Sequence, residues 1–309
     1  LINGFGVLSP LFGILVSMSL GFSLMLVDRL KNLIFTLKKK YILKILFFGF
    51  QISITSLLFY LLDFSDRFIM NELLTLSDVG IYSLGYKIGS LINIILIVPF
   101  CYVWAPFRME YLNNIDNKEF TSKVFSYFSL IGFVIILFTT LFGKEIISFF
   151  ITNAMYDNAI IIIPVIMLSI LFYGFQNILD LGIYLEKKIY YYMLISVLVI
   201  IINVILNYIL LPKFGYIVAA YTTLFSYLIS TSLIFWISIQ FYKIKIDWKR
   251  FLIPLFLLCV TYYIFNYMIT KSLLISVITF IFYLFLIKTY WFNNDEKTDL
   301  TIFFKQLIK

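Results

Sequence analysis

The sequence predicts an all-α polytopic membrane helix bundle, and three observations carry that prediction: composition, the length of the apolar runs, and the placement of charge. Of 309 residues, 62% are hydrophobic and 13% charged, with mean hydropathy +1.02, where a soluble domain carries about a quarter charged residues. These values exclude a globular cytosolic enzyme. Apolar runs long enough to cross ~30 Å of hydrocarbon lie at about 5–27, 42–64, 79–105, 123–142, 160–182, 190–211, 215–239, 251–269 and 272–290. About nine transmembrane helices are therefore expected.

Charge placement orients them. Nineteen of the 24 Lys and Arg fall in one set of alternate connections and the C-terminal end: Arg29 to Lys44, Arg108 to Lys123, Lys187 and Lys188, Lys243 to Arg250, and Lys288 to Lys309. The other set holds Arg67, Lys144, Lys213 and Lys271, and Lys87 lies inside a run. By the positive-inside rule the C-terminus is cytoplasmic and the N-terminus outside. The first run has no basic segment before it and is longer than the apolar part of a secretion signal, so it reads as a span. An outside start at Leu1 that leads almost directly into a span points to a piece of a longer chain.

Several chemistries drop out. Histidine is absent, Cys101 and Cys259 sit alone in separate apolar runs, and there is no GxxxxGK[ST], HExxH or GxSxG motif. Neither a disulfide nor a metal site is supported, and lone cysteines in apolar runs read as small hydrophobes. The net charge of +8 reports topology and not nucleic-acid binding. The 35 Phe and 23 Tyr occur in runs and connections alike, which reads as a compositional bias of the genome. Two segments, 28–41 and the stretch holding Leu300, Phe303, Phe304, Leu307 and Ile308, show apolar residues at helical spacing among lysines, the pattern of helices lying on a membrane surface.

Polar residues in spans are costly and tend to face a bundle interior or a wet cavity. On a wheel of about 100° per residue, Tyr82, Ser83, Tyr86, Lys87, Ser90 and Asn93 share an arc opposite Leu84, Ile88, Leu91, Ile92 and Ile95. Tyr192, Ser196, Asn203 and Asn207 form a stripe, and Ser169, Tyr173, Gln176, Asn177 and Asp180 cluster. Three such helices imply a polar cavity between them, although stripes of Asn and Ser also serve interhelical hydrogen bonding. Lys87 either shares the wet face or snorkels outward. Asp63, Asp66, Arg67 and Glu72 crowd the end of 42–64, as a functional group or as a solvated interfacial cluster. Pro10, Pro99, Pro164 and Pro254 fall in runs, where proline permits kinks.

The stretch Asp66-Arg67-Phe68-Ile69 followed by Val79-Gly80-Ile81-Tyr82-Ser83-Leu84-Gly85-Tyr86-Lys87-Ile88 resembles the polysaccharide flippases of the multidrug/oligosaccharidyl-lipid/polysaccharide exporter superfamily. Pro106 falls where such proteins commonly have a proline ending that helix. Asn203 through Asn207 to Leu211-Pro212-Lys213-Phe214-Gly215-Tyr216-Ile217-Val218-Ala219-Ala220 is similar to a second pattern of that family, with Val218 where glycine is common. The resemblance covers about residues 5 to 290. It implies a two-lobe exporter fold in which 1–27 is the last helix of the first lobe, 28–41 a cytoplasmic amphipathic linker, and 42–239 the second six-helix lobe. Residues 251–290 would then be a C-terminal helix pair and 291–309 a cytoplasmic tail, with five N-terminal helices preceding Leu1.

The resemblance further implies a transporter and not an enzyme, moving an oligosaccharide carried on undecaprenyl pyrophosphate from the inner to the outer leaflet of the bacterial cell (inner) membrane. The chemistry fits polar groups that replace lost hydration. Lys87, Arg67 and Arg108 would attract the diphosphate, Tyr82, Tyr86, Ser90 and Asn93 would contact sugar together with Asn203 and Asn207, and Asp180 and Asp66 are candidates for coupling to a proton or sodium gradient. No cofactor is expected. The implied partners are the lipid-linked oligosaccharide, membrane lipids, and the polymerase and chain-length proteins of polysaccharide (O-antigen, lipopolysaccharide) assembly. Three rivals stand beside this reading: a cation-coupled drug exporter of the same superfamily, a membrane-embedded polymerase or glycosyltransferase, and an inactive fragment. A drug exporter would set acidic and aromatic groups against its substrate, and a membrane enzyme would need a long loop with catalytic carboxylates.

Overall fold

The computed structural model of the chain describes residues 9–29, 39–112, 118–150, 154–267, 272–293 and Glu296. The described residues form an all-α polytopic membrane bundle: α1 (Ser9–Arg29), α2 (Lys39–Leu73), α3 (Leu76–Gly89), α4 (Val98–Leu112), α5 (Lys118–Phe150), α6 (Ile163–Leu179), α7 (Leu181–Leu185), α8 (Tyr190–Phe214), α9 (Ile217–Phe241), α10 (Trp248–Tyr267) and α11 (Leu273–Tyr290). Among the described residues six helical stretches are long and apolar enough to cross a membrane: Leu76–Arg108, Glu119–Glu145, Asn158–Leu179, Tyr190–Phe214, Ile217–Phe241 and Leu273–Tyr290. The other three runs expected from the sequence are helical, as α1, α2 and α10, over their described parts. The chain divides into two compact units, Leu1–Phe50 and Gln51–Lys309, and every helix from α3 onward belongs to the second. Most of the 28–41 segment and the apolar pattern from Leu300 onward lie outside the described residues.

Helix α6 is the axis of that second unit. It packs against α9, α5 and α3, and Ile163, Ile166, Met167, Ile170, Leu171, Phe175 and Ile178 are all buried, a broad apolar face beside the narrower polar one of Tyr173, Gln176 and Asn177. Phe175 anchors an aromatic cluster, with ring centroids 5.0 Å from Phe125, 5.3 Å from Phe172 and 5.7 Å from Phe251, inside the 4.5–7 Å range of favourable pairs. Pro164 stands in the first turn of α6. There its missing N–H would have no intrahelical partner anyway, so it starts the helix and does not kink it.

The structure changes several sequence-based expectations. The run at 42–64 extends as helix to Leu73, so Asp66 and Arg67 lie within a helix and not beyond its end. Helix α3 begins earlier than 79, because Thr75 and Asp78 close a capping box at its N-terminus. Between α3 and α4 the chain makes a π-turn at Asn93–Ile97, just before Pro99, which has no N–H to give the carbonyl four residues back. Pro106 lies inside α4, which continues to Leu112, so it does not end the helix. The run at 160–182 is broken at Asp180, where α6 gives way to the short α7.

Two groups of contacts fix one end of the bundle. The N–H of Gly182 donates to Ser238 Oγ on α9 at 2.8 Å, and a Cβ on Gly182 would overlap the Ser238 carbonyl oxygen, so α7 meets α9 through bare backbone. In α10, Pro254 frees the carbonyl of Arg250, and the indole N–H of Trp291 fills that place at 2.7 Å. Buried Tyr283 donates to the carbonyl of Pro254 at 3.3 Å. The Arg250 guanidinium meets Glu296 through two bonds of 2.9 and 3.0 Å and lies 5.0 Å from the Trp291 ring. Burial works to raise the Glu296 carboxyl, but Arg250, the Asn293 N–H and the Tyr127 hydroxyl together hold it below the ordinary value of 4.5.

Gly182→Ala is expected to lower the unfolding temperature of the detergent-solubilised protein, by overpacking worth about 1–3 kcal/mol. Gly80→Ala, where nothing lies within 4 Å of the new carbon, is expected to leave it unchanged or raise it; equal effects at the two sites would refute the backbone contact. Because the folded carboxyl of Glu296 titrates below its unfolded value, its contribution is complete above about pH 4.5 and fades as pH falls further. Thermal unfolding of Glu296→Gln should therefore converge with that of the parent in acid and fall slightly below it near pH 7, a small effect because the pair is partly exposed.

Candidate functional site

Two polar assemblies sit among the helices of the second unit. The first is centred on Asp66 of α2, which is fully buried and has no ion-pair partner among the described residues. Its carboxylate accepts from Tyr82 on α3 at 2.6 Å, from Asn207 on α8 at 2.6 Å and from Thr223 on α9 at 2.7 Å. Asn207 donates also to Asn203 at 3.1 Å and accepts from Thr222 at 2.7 Å, and Asn203 accepts from Ser65 at 3.2 Å. Four helices thus converge on one carboxylate. Arg67 turns the other way: it donates to the carbonyl of Asp63 at 3.0 Å and stacks 4.4 Å from the Tyr86 ring.

The second assembly is a cavity of about 470 Å³ lined from α2 by Thr55, Phe59 and Asp63, from α3 and the π-turn by Tyr86, Ser90 and Asn93, and from α4 by Arg108. Helix α6 supplies Tyr173, Gln176 and Asn177, Asp180 lies at its C-terminal end, and Tyr184, Tyr192 and Tyr227 close the wall. The helix break places its charges. Arg108 donates to Asp180 at 3.0 Å and to the carbonyl of Asn177 at 3.3 Å, a carbonyl that also accepts from Trp104 at 2.9 Å. A cation at a helix C-terminus also meets the negative end of its dipole. The guanidinium lies 3.8 Å from the Tyr184 ring centroid, and Tyr192 donates to the other Asp180 oxygen. On the opposite wall one oxygen of Asp63 accepts from Tyr86 at 2.6 Å and from Tyr227 at 2.7 Å.

The residues singled out from the sequence therefore separate. Tyr86, Ser90, Asn93, Arg108 and Asp180 line the cavity. Tyr82, Asn203, Asn207 and Asp66 are buried outside its lining and bonded to one another or to near neighbours, so the solvated-cluster reading of the charges near 66 does not hold for Asp66. Lys87 is exposed and does not line the cavity: it sits roughly 60° beyond Ser90 on the wheel, at the edge of an arc wider than the cavity opening. Arg67 is also absent from the lining. Sequence reasoning passed over Thr222, Thr223, Tyr184 and Tyr227. The signal for three of them was present in α9, where Ala219, Ala220, Thr222, Thr223, Ser226, Tyr227, Ser230 and Thr231 bury a small and hydroxylated face.

Together the bundle and the half-open polar cavity describe a polytopic membrane protein with a polar hollow among its helices. The sequence profile of a family described as polysaccharide biosynthesis protein matches residues 1–112, a stretch that contains Asp66, the Tyr82–Tyr86 helix and Arg108. No curated protein and no solved structure matches the chain.

Asp66→Ala strands three buried donors. The expected loss lies between three ordinary membrane hydrogen bonds of ~0.6 kcal/mol each and three bonds to a charged group at ~1.5–3 kcal/mol each. Asp66→Asn, which keeps one acceptor, should lose less. An unchanged unfolding temperature for Asp66→Ala would sink the structural role assigned to that carboxylate.

Proposed function

We propose that this chain carries a lipid-linked oligosaccharide across the bacterial inner membrane for cell-surface polysaccharide assembly, as a transporter and not an enzyme, with its C-terminus inside and with movement by alternating access. The observation that carries the reading is the polar cavity between apolar helices, on a chain whose first 112 residues match polysaccharide biosynthesis proteins. A hydroxyl-rich glycan leaving water needs replacement hydrogen bonds, and Asn93, Gln176, Asn177 and a ring of tyrosines present them. The broken end of α6 and the π-turn at Asn93 supply the irregular backbone that membrane proteins tolerate where it lines a cavity. Lys87 and Arg67, which lie outside the lining, are assigned no part in drawing a diphosphate to this cavity.

Export of an organic cation is a second reading, favoured by one specific observation: Asp63 and Asp180 outnumber Arg108 among tyrosines in the lining. Complementation of surface polysaccharide in a deletion strain separates the two. Arg108→Ala should cut surface polysaccharide about tenfold or more, the effect of losing a charge-assisted hydrogen bond of ~1.5–3 kcal/mol, while Lys87→Ala at equal expression should retain most of it. Full activity of Arg108→Ala, or sensitivity to toxic cations as the only phenotype of a deletion strain, would overturn the polysaccharide reading.

A further inference from the structure

The charge and the free valences of the cavity narrow what it takes. Among the described residues three charged side chains line it: Asp63, Asp180 and Arg108. Arg108 is committed to Asp180 and to the end of α6, which leaves Asp63 without a cation in the lining. Arg67 donates to the Asp63 main chain and is covered by the Tyr86 ring, outside that lining. The second oxygen of Asp63 has no partner among the described residues. Gln176 is 4% exposed, and its amide nitrogen is used by Ser230 and Thr231 at 3.1 and 3.2 Å. Thr231 in turn donates to the carbonyl of Phe172 at 2.8 Å, which fixes the orientation of that amide and leaves its oxygen to the cavity.

Resting on the polysaccharide reading, we infer that this cavity receives an uncharged, hydroxyl-bearing sugar unit, with Asp63 and Gln176 as acceptors for its hydroxyls, and that it excludes the diphosphate and acidic sugars. Free acceptors call for donors, and a sugar hydroxyl is a donor. An added carboxylate or phosphate would face Asp63 in a region of low dielectric, where like charges repel strongly. The cavity volume of about 470 Å³ lies within the ~300–1,000 Å³ of small-molecule sites. The Tyr173 ring, held edge-on by Phe59 at 5.1 Å and beside Tyr227 at 5.5 Å, adds an apolar wall.

The test is equilibrium binding to the full chain in lipid nanodiscs, using a trisaccharide of uncharged hexoses, the same trisaccharide with one hexose replaced by its uronic acid, and tetraphenylphosphonium. The uncharged trisaccharide should bind at least tenfold more tightly than the uronate, and Asp63→Asn should narrow that ratio. The comparison on the parent protein decides the matter even if the variant folds poorly. Equal or tighter binding of the uronate overturns the inference and leaves the polysaccharide reading standing. Failure of the uncharged sugar to bind overturns the inference, and if tetraphenylphosphonium binds in its place the polysaccharide reading falls with it.

Discussion

A carboxylate buried without a counter-ion among the described residues sets the terms for the rest of this fold. Asp66 is reached by hydroxyls from α3 and α9 and an amide from α8. In a hydrocarbon setting no water stands ready to replace a missing donor, so the three helices must approach α2 in one rotation and one register. Asn203, Ser65 and Thr222 extend the same requirement outward. Apolar packing around α6 supplies cohesion but little direction, because lipid tails are as apolar as the side chains they would replace. The polar contacts choose among packings that dispersion alone would leave nearly equal.

The cavity depends on that choice. Asp63 lies one turn before Asp66 on α2, and Tyr86 one turn after Tyr82 on α3, so the paired residues of the buried network and of the cavity wall repeat along the same two helices. Fixing the inner pair therefore fixes the outer one. Tyr227, one turn beyond Thr223 on α9, follows the same rule. The wall of the site is the continuation of the structural lock, displaced by about 5.4 Å along the helices.

Much of this was legible in the sequence. Run length and charge determined the fold class, since the hydrocarbon thickness imposes both. The wheel placed Tyr86, Ser90 and Asn93 on one wet face and Tyr173, Gln176, Asn177 and Asp180 on another, and the structure sets those faces around a single cavity. What sequence could not supply is how far round each helix the neighbours extend. Lys87 and Asn93 share an arc, yet only Asn93 borders the cavity, because the edge of that arc is decided by where α6 packs. The stripe of Tyr192, Asn203 and Asn207 likewise divides along its length, with Tyr192 at the cavity and the asparagines locked against α2. Helical breaks were illegible for a different reason. Hydropathy averages over them, and Asp180 and Asn93 interrupt runs that read as continuous.

The seat of Arg108 carries one more implication. Its guanidinium closes the exposed carbonyl end of α6 through Asn177 while it also pairs with Asp180. A ligand that draws this cation into the cavity uncovers a helix terminus in the middle of the bundle, and a ligand that leaves it in place preserves that terminus. An uncharged sugar gives this cation no reason to leave Asp180, so the site can fill while the end of α6 stays capped.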